Sequence, residues 1–589
     1  MYRKLLVNSE EDIQALKNTN IDKSLLHVKV SYPFNKDITD DYVGELKGVH
    51  SINLHYCKQM TDNGLVTLGT PEALDISRCK QLTNKGLIQL VTNISKAGKR
   101  LRVLNISNNV KITNKGISVL GKFEKLGLTE LHISGNSEVS DDTIKLIARN
   151  NVIRIINLSK CKHITSTSLT ELKHLNVGIF SKCQGLTDHA FVMFNNLTKL
   201  NISNCKNITD SGINLICNNR NLEELILSSC KQITNEAFIS IKKLKKLKIL
   251  NIDYCHNITD TGILQLHTIE NISLVGCKIT DESIKHLSTI TTITSLNIYG
   301  QSTLTLESLV NFTNLVTLDA SMCNFPDNDT MQFTNLNKLF LSGCVNIKDY
   351  TLGQINNLTQ LDLTLCNYIT TQCIIKILQT NPIENIILNW VNNVTDDCLQ
   401  YMNNATYISL LGCVNITDKG IEFLSAKLLE LQNNFLNESK INSVSKNLAA
   451  LENNIPTSEN NFTILKDPIV STTNATFCMR DDYYFFGQKN RTHTLQYLDI
   501  SHCLQITDEA IRHLSPISIL CLKMNNNNNL TDVALSYLNS IHTLAISNCP
   551  KIVGHGLANL KGLHTLNITG NEFDESVVSS LSTVHKLLV

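Results

Sequence analysis

Residues Leu197 to Leu215 read LTKLNISNCKNITDSGINL. Leu200 and Ile202 alternate with polar residues, the period-two signature of a strand with one buried face. Thr209 and Asp210 then supply what a helix start needs: a side-chain oxygen for unpaired amides and a negative charge in the first turn. Ile213 and Ile216 follow at helical spacing. One strand, a tight turn and one helix fit into about 23 residues, a unit that buries its apolar face only by stacking on copies of itself.

The same sentence recurs along the chain. Thr61-Asp62, Thr187-Asp188, Thr259-Asp260, Thr280-Asp281, Thr395-Asp396, Thr417-Asp418 and Thr507-Asp508 repeat the helix start. Counting the residue at the strand-to-turn corner gives 22 repeats, from Pro33 to Asn571; fourteen carry Cys and five carry Asn, taken as Asn109, Asn136, Asn434, Asn525 and Asn571. The pattern predicts an α/β solenoid with parallel strands inside and helices outside. Residues 1–24 are expected as an N-terminal cap helix, with Glu10, Glu11 and Asp12 leading into Ile13 and Leu16. Repeats are assigned to 25–436 and 495–589. Between them the corners Asn434 and Cys503 lie 69 residues apart, so 437–494 is either an insertion or a pair of degenerate repeats. Its prolines and abundant Ser, Thr and Asn favour the insertion.

Nineteen cysteines do not make a disulfide scaffold here. Fourteen sit in one slot of the repeat, with no C-x-x-C pair or zinc spacing, and read as small buried side chains at the corner. Lysine plus arginine balance the acids to a net charge of +1, so the whole chain presents no basic field for nucleic acid. No apolar run approaches the ~18 residues of a membrane span. The apolar stretch after the basic start is too short for a signal-peptide core. A monomer in the cytosol or nucleus is expected.

The pattern L-x-x-L-x-L-x-x-C-x-x-I-T-D-x-G-L, as in Leu225-Ile226-Leu227-Ser228-Ser229-Cys230-Lys231-Gln232-Ile233-Thr234, resembles the cysteine-containing class of leucine-rich repeats. That class is best known from F-box/leucine-rich-repeat proteins, the substrate receptors of SCF-type ubiquitin ligases. The resemblance implies a leucine-rich-repeat solenoid, a curved horseshoe or superhelix, over nearly the whole chain. In that family an F-box precedes the repeats and opens with an L-P-x-E/D helix that docks on a Skp-type adaptor. Residues 1–30 contain no proline and no such motif, so what the resemblance implies for this chain is the recognition half.

No catalytic, metal or cofactor motif is found: no G-x-S-x-G, H-E-x-x-H or phosphate loop. His55, His132 and His502 fall in different repeats and read as surface residues. Asp75, Asp319, Asp362 and Asp499 share one strand position without forming an acid pair. The informative positions lie on the concave strand face. Ser is usual two residues before the corner, whereas Phe340, Leu365, Ile387, Trp390 and Leu411 place large apolar side chains at outward positions of four consecutive strands. Grouped apolar residues with the chain's one tryptophan point to a protein partner on the concave face. As outward residues they are expected to matter little for stability, under about 0.5 kcal/mol for Trp390→Ala. The expected function is a non-enzymatic interaction scaffold, in its specific form a substrate-recognition adaptor of a ubiquitin-ligase-like complex. The contrasting reading is a regulator of an enzyme such as a GTPase, held through the same face.

Overall fold

In the computed structural model the strand of Leu197–Leu215 is three residues long, Lys199–Asn201. It lies parallel between Val177–Ile179 and Glu224–Ile226, with Leu200 opposite Gly178 and Leu225. Leu200, Ile202, Cys205, Ile208, Ile213 and Ile216 are all buried, so every apolar position of the repeat points into one core. The chain then enters the helix Asp210–Ile216, where Thr209 Oγ1 accepts from the amide of Ser211 at 3.2 Å. The helix is too short to persist alone; its apolar side against the neighbouring coils holds it.

The structure describes the chain except residues 1–2, 8–9, 19–21, 31–37, 124–125, 326–332, 353–354, 433–494, 539–540, 558–559, 561, 582–583, 585 and 589. It divides into two units, one up to Ile279 and one from Thr280 onward. In the first, strands from Arg3–Val7 to Asn271–Ser273 pair in sequence order, all parallel. In the second, strands from Ser295–Asn297 to Lys586–Leu588 do the same.

Hydrogen bonding between coils continues past each short strand. In all twenty described coils the residue before the corner has a positive φ, between 54° and 77°, and only six of these residues are glycine. That backbone turns the amide toward the next coil: Asn204 N donates to Ser228 O at 2.7 Å, and Trp390 N to Leu411 O at 2.7 Å. A left-handed residue with a side chain costs about 1 kcal/mol, but an unpaired buried amide or carbonyl costs about 1–3 kcal/mol. The bond wins, so the position is left-handed whatever residue fills it.

The corner residue adds a second bond. Cys205 Sγ donates to Phe180 O of the preceding coil at 3.2 Å, and Cys183 Sγ to Leu158 O at 3.1 Å. Asn109 Nδ2 reaches the equivalent Ile76 O at 2.8 Å. Cys and Asn alternate because either one donates to that carbonyl. All eighteen described cysteines are buried and unbridged.

The Thr-Asp-x-Gly motif is a third link. Asp62 Oδ1 accepts from the Thr83 amide at 2.8 Å and Oδ2 from the Thr83 hydroxyl at 2.5 Å, one coil further on. The aspartate does more than favour its own helix start; it ties the next one down. Glycine follows from this link: a Cβ on Gly86 would lie 2.3 Å from Asp62 Oδ1, and one on Gly420 would lie 2.3 Å from Asp396 Oδ1.

Two readings of the sequence change. The region expected as a cap helix contains the helix Glu10–Asn18 but begins with a strand, Arg3–Val7, which pairs along its full length with Leu26–Val30. The corner placed at Asn525 is Asn527: Asn526 carries the positive φ, and buried Asn527 donates to Ile500 O at 3.0 Å. The polar run Asn525–Asn529 conceals this two-residue shift. The corners Pro33 and Asn434 and the segment 437–494 lie outside the described residues. The coils flanking that segment are direct neighbours: Tyr407–Ser409 pairs with Leu495–Asp499, and Asp418 Oδ1 accepts from the Thr507 amide at 2.8 Å.

Gly86→Ala should destabilise the protein by about 1–3 kcal/mol through overpacking, although alanine is the better helix former by ~1 kcal/mol. In an Asp62→Ala background the added cost should fall by about 1 kcal/mol or more, because Oδ1 and Cγ, at 2.3 and 2.7 Å from the new Cβ, are gone and only the residue-62 Cβ at 3.0 Å stays. Urea denaturation reads both, and strictly additive penalties would overturn the steric explanation.

Burial pushes the thiols of Cys161 and Cys183 up to about 12 and that of Cys230 up to about 11. Each therefore holds its proton more tightly folded than unfolded, where the ordinary value is ~8.5. The contribution is fully present below that value and is lost as pH rises through it toward 11 or 12. The urea midpoint should fall from pH 8.5 to 10.5, and less steeply for Cys161→Asn/Cys183→Asn/Cys230→Asn. Equal slopes for the two proteins would contradict this account.

Candidate functional site

The five apolar residues singled out in the sequence all lie in the second unit, in three distinct rows. Phe340 and Ile387 occupy the last position of their strands, Lys338–Phe340 and Asn385–Ile387. Asp362 stands between them in register, and Ser409 follows Ile387. Leu365 and Trp390 hold the left-handed position before the corner, with φ of 64° and 58°. Leu411 aligns with neither: Trp390 N donates to its carbonyl, so the place equivalent to Trp390 in that coil belongs to Gly412.

Their exposure differs accordingly. Leu365 is 42% and Trp390 38% exposed, while Phe340 and Leu411 are half-buried. Ile387 is only 3% exposed, against the expectation of an outward, accessible side chain. It belongs to a buried cluster with Tyr407, Tyr497 and Cys521, whose side chains stand on the neighbouring strands. The Trp390 ring lies where a Cβ on Gly412 would be, 2.3 Å from its nearest carbon, and packs 5.0 Å from the His502 ring. Glycine in the next coil is what lets the indole lie flat along the stack.

Tyr407 and Tyr497 stack at 4.1 Å with ring planes 3° apart. Lys523 Nζ sits 5.1 Å from the Tyr497 ring centre, and Tyr497 Oη donates to Asp499 Oδ2 at 3.1 Å. Burial, reinforced by the Asp499 charge, pushes the Tyr497 hydroxyl far up, so it stays a donor. Sequence reading misses this pair because the two tyrosines are 90 positions apart. They meet because the strands on either side of residues 433–494 are neighbours. The available signal was the shared slot: each directly precedes a buried strand residue, Ile408 and Leu498, that pair in register.

The polar groups nearby are engaged with the backbone. Asp362 Oδ1 accepts from the Thr364 amide at 2.9 Å, Asp319 Oδ1 from the Ser321 amide at 3.1 Å, and Asp499 Oδ1 from the Ser501 amide at 3.0 Å. These carboxylates shape the turn after each strand. Burial raises Cys521 to about 11, which keeps its thiol protonated at neutral pH. The histidines noted in the sequence remain separate: His55 Nδ1 bonds Ser77 Oγ at 2.7 Å, His132 Nε2 bonds Glu130 Oε1 at 2.8 Å, and His502 packs on Trp390. Among the described residues no three His, Cys, Asp or Glu side chains are grouped to hold a metal ion, and no helix is long and apolar enough to cross a membrane.

A leucine-rich-repeat family model matches residues 101–121, 195–217, 218–241, 243–266 and 492–515. Comparison with curated proteins gives no match. Among solved structures the chain is similar to the yeast Rad7–Elc1 complex, at 17% identity over 62% of this chain and 82% of that one, with a TM-score of 0.38. It is also similar to a leucine-rich-repeat protein of Leptospira interrogans, at 18% identity over 84% and 96% with a TM-score of 0.41. A third is the TLR13–ssRNA13 complex, at 16% identity over 95% and 66% with a TM-score of 0.38. None of these likenesses is strong enough to carry a function. The matched repeats, together with the strand, corner and helix start found coil after coil in both units, show that this chain is built of leucine-rich repeats.

Proposed function

We propose that the protein is a non-enzymatic interaction scaffold whose second unit grips a protein partner through Phe340, Leu365, Trp390 and Leu411, over a floor made by Ile387, Tyr407 and Tyr497. The observation that carries this reading is the pair Leu365 and Trp390, two large apolar side chains in left-handed backbone positions and about 40% exposed. Left-handed geometry favours Gly and Asn, and folding gains little from apolar area left in water. Nothing in the coil requires Leu or Trp there, since the same slot holds Asn204, Lys182 or Gly412 elsewhere. Trp with a rim of polar residues is the composition of an interface anchor. In its specific form the scaffold is a substrate-recognition adaptor of a ubiquitin-ligase-like complex, supported by the repeat class that the Cys-corner pattern resembles.

Asparagine tolerates positive φ, so Leu365→Asn/Trp390→Asn removes the apolar surface without adding backbone strain. Trp390→Ala should cost about 1 kcal/mol, above the ~0.5 kcal/mol of a fully exposed site, because the ring covers Gly412. The double asparagine variant should melt close to the parent in a calorimetric scan. Its partner binding should weaken by about 2 kcal/mol or more, roughly 30-fold. Affinity capture followed by mass spectrometry separates the readings. Ligase subunits captured by both proteins, with a further protein lost only from the variant, would carry the adaptor, and a GTPase lost from the variant would carry an enzyme regulator. Equal capture of every partner by both proteins would remove this face as the binding surface.

A further inference from the structure

The position directly after the corner follows a different rule in the two units. In the ten described coils of the first unit, from Cys57 to Cys277, it holds Lys58, Lys80, Lys162, Lys206, Lys231 and Lys278, all exposed. Arg78, Lys160 and Lys182 add cations at the left-handed position beside them. Across the two places that follow each corner in these coils, Glu138 is the single acid. From Gln301 to Asn571 the equivalent position holds no lysine or arginine at all. A net charge of +1 for the whole chain therefore conceals a strongly one-signed edge.

The backbone of this row is fixed by amide side chains of the following coil: Gln81 Nε2 donates to Lys58 O at 2.8 Å, Gln232 Nε2 to Lys206 O at 2.6 Å, and Asn257 Nδ2 to Lys231 O at 2.9 Å. It is the backbone of the repeat in general, since the same bond recurs at Asn367 O, Asn392 O, Val414 O and Leu504 O in the second unit, so the side chains alone set this edge apart. Among the described residues none of these ammonium groups is ion-paired. The lysine ion pairs of the described residues involve Lys17, Lys199, Lys248, Lys285 and Lys427, none on this edge. Adjacent parallel strands are ~4.8 Å apart, so the row runs for about 40 Å.

We propose that this lysine edge of the first unit binds an extended, acidic segment of a protein partner. A linear file of separate point charges suits a chain of carboxylates, which at about 3.3 Å per residue would span it with roughly 13 residues. Nucleic acid is the less fitting occupant. Nearly all the cations are Lys, without the planar fork of Arg that suits phosphate. The proposal is independent of the apolar face in the second unit.

Full-length protein is titrated with a fluorescent poly-glutamate of about 13 residues and, separately, with a single-stranded oligonucleotide of equal charge. Saturable binding of poly-glutamate is expected, weakening more than 10-fold when salt is raised toward 1 M, where the screening length falls to ~3 Å. Lys206→Glu/Lys231→Glu should cost at least 10-fold. Lys115→Glu/Lys122→Glu, which alters net charge equally away from the edge, should leave binding within about 2-fold of the parent. Circular dichroism and melting of both variants check that they are folded. Absence of saturable binding, or equal losses in the two variants, would overturn the proposal. Tighter binding of the oligonucleotide by 10-fold or more would overturn the assignment to a polypeptide. Neither outcome bears on Trp390.

Discussion

Each coil of this protein is a fragment whose polar backbone can be satisfied only by the coil beside it. A strand such as Lys199–Asn201 carries three residues of ladder, too few to fix a register by itself. What locks it is the continuation of inter-coil bonding into the turn and the helix start: the left-handed amide, the corner Cys or Asn on the preceding carbonyl, and the Asp–Thr clasp. Removing any one leaves buried groups unpaired in both neighbours, which is why the constraint propagates along each unit.

These bonds also sort the positions into fixed and free. The strand leucines, the corner and the Thr-Asp-x-Gly start are fully committed. The left-handed residue is committed through its backbone alone, and the residue after the corner scarcely at all, so their side chains are where coils can differ without cost to the stack. The first unit uses those positions for lysine and the second for Leu365, Trp390 and Val345. The contrast is chemical rather than architectural, because the backbone beneath is the same.

The neighbours of a side chain decide what it can present. Ile387 and Phe340 hold the same strand position, yet Ile387 is buried by Tyr407 and Tyr497 on the following strands while Phe340 stays half-exposed between Asp319 and Asp362. Trp390 lies flat because the next coil offers Gly412. Position within the repeat gives direction; the adjoining coils give accessibility.

The sequence by itself determined the repeating unit, its strand and helix periods and the buried corner, because these depend on residues a few places apart. It missed the strand Arg3–Val7, a five-residue run outside the repeat pattern, and placed one corner at Asn525 instead of Asn527, since the polar run Asn525–Asn529 offers no periodicity to read. Only the tertiary structure joined Tyr407 to Tyr497, buried Ile387, turned the left-handed amides toward the next coil, and lined up lysines 22 to 82 residues apart along one edge. The physical reason is common to all four: each depends on contacts between coils, and which side chain meets which across a coil boundary is set by the register of the stack.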